Sequence, residues 1–118
     1  KKAVVIGSGN SVINIVNTFI EKIGLPNDVA ILMKNNFEKK YHLEMESFSA
    51  YVAAKEVKIP VLVIHDIDDE DIPVSESYHL AEHLSNKVIL ITNNLGHRKI
   101  LGDSKVIHKI VEFLLIKN

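Results

Sequence analysis

Apolar residues change their period several times along this chain, and each change marks an element. Ala3-Val4-Val5-Ile6 is a short apolar, largely β-branched run, ended by Gly7-Ser8-Gly9. With no polar face, it reads as a strand buried on both sides, as in a parallel sheet. From Asn10 or Ser11 the spacing turns helical: Val12, Val16, Phe19, Ile20 and Ile23 recur on one side until Gly24 stops the run. Pro26 suits a first helical turn, where its missing N–H costs nothing, and Asp28 complements the dipole there. Val29, Leu32, Met33 and Phe37 extend this second helix to about Tyr41, and a third helical stretch runs from Ser47 to about Glu56. Residues 10–58 thus form a block of three helices.

After Lys58-Ile59-Pro60 the pattern sharpens. Val61-Leu62-Val63-Ile64 is a second buried strand, and His65 to Pro73 a polar loop. Ser75 is a suitable N-cap for a helix reaching about Leu84, with Leu80, Ala81 and Leu84 as its apolar side. Val88-Ile89-Leu90-Ile91 reads as a third strand, and Asn93-Asn94-Leu95-Gly96 as a loop. Asp103 caps a last helix whose Val106, Ile107, Ile110, Val111, Phe113 and Leu114 face a core. Strands alternating with helices predict a three-layer α/β fold: a parallel sheet of about three strands, with right-handed crossovers and flanking helices. Ligand sites in such sheets form beyond the carboxyl ends of the strands. That rule selects three loops, Gly7–Asn10, His65–Pro73 and Asn93–Arg98.

Composition narrows the function. The 118 residues fit one domain, with 47% hydrophobic and 25% charged residues, as in an ordinary globular protein. The 14 basic and 15 acidic side chains leave a net charge of −1, which offers no footprint for nucleic acid or an anionic membrane surface. The longest apolar runs are too short to span a bilayer, and Lys1-Lys2 is followed by no signal-peptide core. Without cysteine there are no disulfides or thiolate metal sites, which suits a cytoplasmic, reducing compartment.

The second and third loops carry the candidate chemistry. Pro60–His65 followed by Asp66-Ile67-Asp68-Asp69-Glu70-Asp71-Ile72-Pro73, and then Gly96-His97 before an amphipathic helix, resembles the last two active-site loops of the α/β-hydrolases. There a strand written "PVLVIHG" ends in "xxDxxVP", and the next strand leads to "GH". The resemblance covers residues 58–117 closely and the rest loosely. It implies that Asp69 is the acid and His97 the base of a Ser-Asp-His triad, that the whole protein hydrolyses ester- or amide-type acyl bonds of a small-molecule substrate without cofactor or metal, and that residues 10–58 form a lid. The order acid before base agrees with the family. One helix and one strand separate the two, which brings both loops to the same edge of neighbouring strands. A buried carboxylate there fixes the imidazole tautomer and stabilises the imidazolium formed during acyl transfer.

Two features depart from the family pattern. Asp66 stands where the family has Gly, and no G-x-S-x-G nucleophile elbow occurs in these residues; Gly7-Ser8-Gly9-Asn10-Ser11 has the wrong spacing. These residues alone are therefore expected to be inactive, corresponding to the last three strands of the family's eight. His65 and Asp68 are assigned to loop structure, and Arg98 to anchoring the loop or a helix end. An apolar Ala3–Ile6 lacking its neighbour on one side predicts self-association through that edge or through the lid helices.

Other readings carry less. A non-catalytic α/β module binding a ligand or partner would keep the same fold. The dinucleotide fingerprint needs G-x-G-x-x-G, and position 12 is Val. His79-Leu80-Ala81-Glu82-His83 matches an H-x-x-E-H zinc string, but a third ligand is missing and an exposed helix face explains the pair. The acidic run at residues 66–71 lacks the glycine of an EF-hand loop. A D-x-D after a strand suggests aspartyl phosphotransfer, with no Lys or Thr motif to support it.

Overall fold

The computed structural model describes residues 1–117. Three strands, β1 (Ala3–Ile6), β2 (Val61–Asp66) and β3 (Lys87–Thr92), form one parallel sheet in the order β1-β2-β3. Between β1 and β2 lie α1 (Val12–Lys22), α2 (Asn27–Tyr41), a 3-10 turn (Met45–Phe48) and α3 (Ala50–Ala54). Helix α4 (Val74–His83) joins β2 to β3, and β3 is followed by the single turn α5 (Gly96–Lys99) and by α6 (Ser104–Leu115).

Central β2 explains the layering. It is buried along its whole length, with Leu62, Val63, Ile64, His65 and Asp66 at 0% exposure. Strand alternation sends Val61 and Val63 to one face, against Leu80 of α4, Leu84 just after it and Ala54 of α3. Leu62 and Ile64 face the other way, onto Ile100, Val106 and Phe113 beside and within α5 and α6. Helices on both faces give the three layers that the alternation of strands and helices predicts.

Several local expectations change. Strand β1 is half-buried, being paired only with β2 among the described residues. Strand β3 is an edge, with Val88 44% and Ile89 39% exposed. The stretch from Ser47 to Glu56 divides into the 3-10 turn and α3, because Ser49 is extended (φ −66°, ψ 144°). Pro26 and Pro73 stand just before α2 and α4, and Ser75 lies inside α4 instead of capping it. Leu32 and Met33 of α2 face outward, and the residue it buries is Ala30. On α6 only Val106 and Phe113 are fully buried, while Ile107, Val111 and Leu114 are exposed. Asp103 does cap α6, accepting from Lys105 N and Val106 N at 3.0 Å.

The molecule is a slab of 46 × 32 × 18 Å. Its radius of gyration is 16.0 Å, against about 13–14 Å for a compact domain of this length. Its accessible surface of 7799 Å² exceeds the roughly 6,400 Å² expected for this mass.

Candidate active site

The three loops at the carboxyl ends of the strands meet at one side chain, Asp69. Its loop leaves β2 through His65 and Asp66 and returns at Ile72-Pro73. Asp69 Oδ1 accepts from the N–H groups of Asp71 (2.9 Å) and Ile72 (2.8 Å), folding the loop around the carboxylate. Oδ2 lies 2.8 Å from His97 Nδ1 and 3.2 Å from His65 Nε2. The Asp69 side chain is 1% exposed and that of His97 38%. A sealed acid thus faces a half-open imidazole. With Nδ1 turned to the carboxylate, Nε2, on the far side of the ring, is the atom free to exchange a proton with a reactant.

Gly7, at the end of β1, closes the third side. Its φ of 53° is the left-handed region in which a side chain is strained. A Cβ there would stand 3.4 Å from His97 Nδ1 and 3.5 Å from Asp69 Oδ2. The glycine lets the backbone turn directly over the pair.

His65 belongs to the site more closely than an assignment to loop structure suggests. Its Nε2 faces the Ile72 carbonyl at 2.8 Å as well as Asp69, so Nε2 carries the proton and Nδ1 accepts from the Ser77 hydroxyl at 2.6 Å. Asp68 is structural, its Oδ2 accepting from Asn94 N at 2.7 Å. Arg98 is exposed in α5, with its charge near Asp71, and among the described residues it makes no ion pair. Asp71 pairs with Lys22 of α1 at 2.8 Å, and Lys22 holds its carboxyl below the usual range.

The helical block is tied to this region by a second buried carboxylate. Glu76 of α4 accepts from the N–H groups of Asn10 (3.0 Å) and Ser11 (2.9 Å) at the entry to α1. Nearby, His79 Nδ1 lies 2.6 Å from Asn10 Nδ2 and His83 Nδ1 bonds the His79 carbonyl at 2.9 Å. Both rings pack on Tyr51 of α3, so the H-x-x-E-H histidines are half-buried rather than on an exposed face. Donor atoms of Asp69, Asp71 and His97 lie within 4.8 Å of one another. This trio could meet a cation, but Asp69 already has four partners and Asp71 has Lys22.

The parallel order β1-β2-β3 with helices on both faces matches solved structures. An α/β-hydrolase enzyme from a Medee basin deep-sea metagenome library is 20% identical, with a TM-score of 0.62 over 100% of this chain and 57% of its own. BpoC of Mycobacterium tuberculosis, assigned as a non-heme bromoperoxidase, is 15% identical, with a TM-score of 0.61 over 99% of this chain and 59% of its own. The chain has the α/β-hydrolase fold. It spans under two-thirds of those two proteins, and 20% of the acylaminoacyl peptidase of Pyrococcus horikoshii, which it matches at a TM-score of 0.67 and 18% identity over 97% of its own length. No protein-family model and no curated protein matches the sequence. Among the described residues, no helix is long and apolar enough to cross a membrane.

Proposed function

We propose that residues 1–118 are the acid- and base-bearing part of an enzyme that hydrolyses ester- or amide-type acyl bonds. The observation supporting this is the Asp69–His97 pair itself: 2.8 Å apart, acid sealed, base half-open, in segments that follow adjacent parallel strands. In this reading His97 Nε2 takes the proton from a serine hydroxyl as it attacks the acyl carbon. It then returns that proton to the departing alcohol or amine. Asp69 keeps the hydrogen on Nδ1, so that Nε2 is the basic atom, and offsets the charge on the imidazolium. The serine and the donors that stabilise the oxyanion come from outside these residues. This chemistry draws on no metal or cofactor.

The helical block, residues 10–58, is the lid in this proposal. It holds an apolar groove of about 530 Å³ lined by Val12, Phe37, Tyr41, Leu43, Met45 and Phe48, which favours a substrate with an apolar group. The test is turnover of activated esters by the whole protein. Asp69→Asn and His97→Ala should each abolish most activity, while residues 1–118 alone match a heat-treated control. Unchanged activity in both variants overturns the assignment. A whole protein that binds acyl compounds without turning them over would point instead to a binding module on the same fold.

A further inference from the structure

The acid loop and the base loop are held together by a carboxylate that the Asp69–His97 pair does not include. Asp66 is the last residue of β2, fully buried. Its Oδ1 accepts from Asp68 N at 2.9 Å. Its Oδ2 accepts from the Thr92 hydroxyl at 2.7 Å and from Leu95 N at 3.1 Å, and the nearby Gly96 N–H further favours the charged carboxyl. The donors fall on both sides of the site: Asp68 precedes the acid, and Leu95 and Gly96 immediately precede the base.

A buried anion normally requires a counter-ion or several hydrogen bonds. Asp66 has the second. Burial opposes its charge, but the Thr92 hydroxyl and the Gly96, Asp68 and Leu95 N–H groups outweigh it and keep the carboxyl below the usual range. The backbone it engages is unusual. Asn94 and Gly96 both have positive φ, 59° and 67°, so the segment that aims His97 departs from extended geometry and needs something to hold it. Asp69 cannot do so, because it meets His97 only at the end of a rotatable side chain. The resemblance supplies no carboxylate here, since the family has glycine at this position.

We propose that Asp66 is a positioning residue for His97: it clamps the Thr92–Gly96 backbone to the end of β2 and so sets the ring against Asp69. This rests on the reading of Asp69 and His97 as an acid–base pair. It can be tested in the 118-residue chain without any assay of turnover, by proton NMR of the His97 ring. The hydrogen shared between Nδ1 and Asp69 should give a downfield, slowly exchanging signal. In Asp66→Asn the amide NH₂ would confront N–H donors. Its exchange should rise by at least about tenfold, the factor carried by a hydrogen bond to a charged group, while amide signals of β2 and α4 stay in place. Thr92→Val removes one donor and keeps the fold, and should raise exchange by a smaller factor; it serves if Asp66→Asn does not fold. A folded Asp66→Asn, or Thr92→Val, with His97 exchange and titration unchanged overturns the proposal. A separate failure is also readable: if the downfield signal survives Asp69→Asn, the pairing itself is wrong, and the role of Asp66 falls with it.

Discussion

The carboxyl end of the sheet and the helical block solve the same problem differently. At the sheet end, Leu62 to Asp66 are fully buried and the Asp66, Asp68 and Asp69 carboxylates gather N–H groups from their own loop or the next. Position there is fixed by polar bonds with direction, on a strand supported from both faces. The helical block is held at its entry, by Glu76 and by Lys22–Asp71, yet Phe19, Ile31, Leu32 and Met33 remain exposed. An acid and a base must be placed to a few tenths of an ångström. The helical block, as the proposed lid, would have only to present a surface, so its packing can stay open until something covers it.

The sharpest way to break this comparison is at the pair. In the whole protein, Asp69→Asn should lower turnover by about 10⁴, the cost of the wrong imidazole tautomer, and His97→Ala by a comparable factor, measured as kcat on an activated ester. A drop of less than tenfold in both would remove the distinction between the two regions.

Next in size is packing. Ile64→Ala beneath the site should destabilise the chain by about 2–5 kcal/mol in urea unfolding. Leu32→Ala on the outer face of α2, 63% exposed, should change stability by less than about 0.5 kcal/mol. Equal losses would mean that something already covers α2.

Assembly comes third. Ala3 N–H donates to Pro60 and Gly7 N–H to Ile64 across the β1–β2 ladder, so alternation turns the N–H groups of Val4 and Ile6 to the open edge. We propose that the 118-residue chain self-associates there. Light scattering should show mass rising with concentration, and Val4→Pro, which removes an outward donor only, should reduce it. A wild-type monomer at high concentration would count against this edge.

Smaller still are the charges. Because Asp66 is held below the carboxylate value of about 3.9, its stabilisation is complete above that pH and is lost as pH falls through the folded value. The stability advantage of wild type over Asp66→Asn should therefore be flat from neutral pH to about 5 and shrink below about 4 in pH-dependent unfolding. Lys22→Ala, which removes a half-exposed ion pair, should leave the melting temperature nearly unchanged at physiological salt.

Three short apolar runs, each closed by glycine or a polar loop, were enough to read a parallel sheet from the residues alone, because period and length are local properties of a strand. The Asp69–His97 contact was legible for a related reason: Asp69 before Ile72-Pro73, and His97 after Gly96, are motifs contiguous in sequence that chain order places on loops after neighbouring strands. The helical faces were less legible. Leu32 and Met33 have the spacing of a buried stripe, yet which stripe is covered depends on what packs against α2, and that is not a property of α2. Asp66 was visible only as an acid where the resembling family has glycine. Its partners Thr92, Leu95 and Gly96 lie more than twenty-five residues away and use hydroxyl and backbone N–H donors that leave no mark on sequence pattern. Local hydrophobic period determined the strands and placed the two candidate loops. Only the tertiary structure could decide which carboxylate holds the loops together, because that choice is made by distance across the sheet.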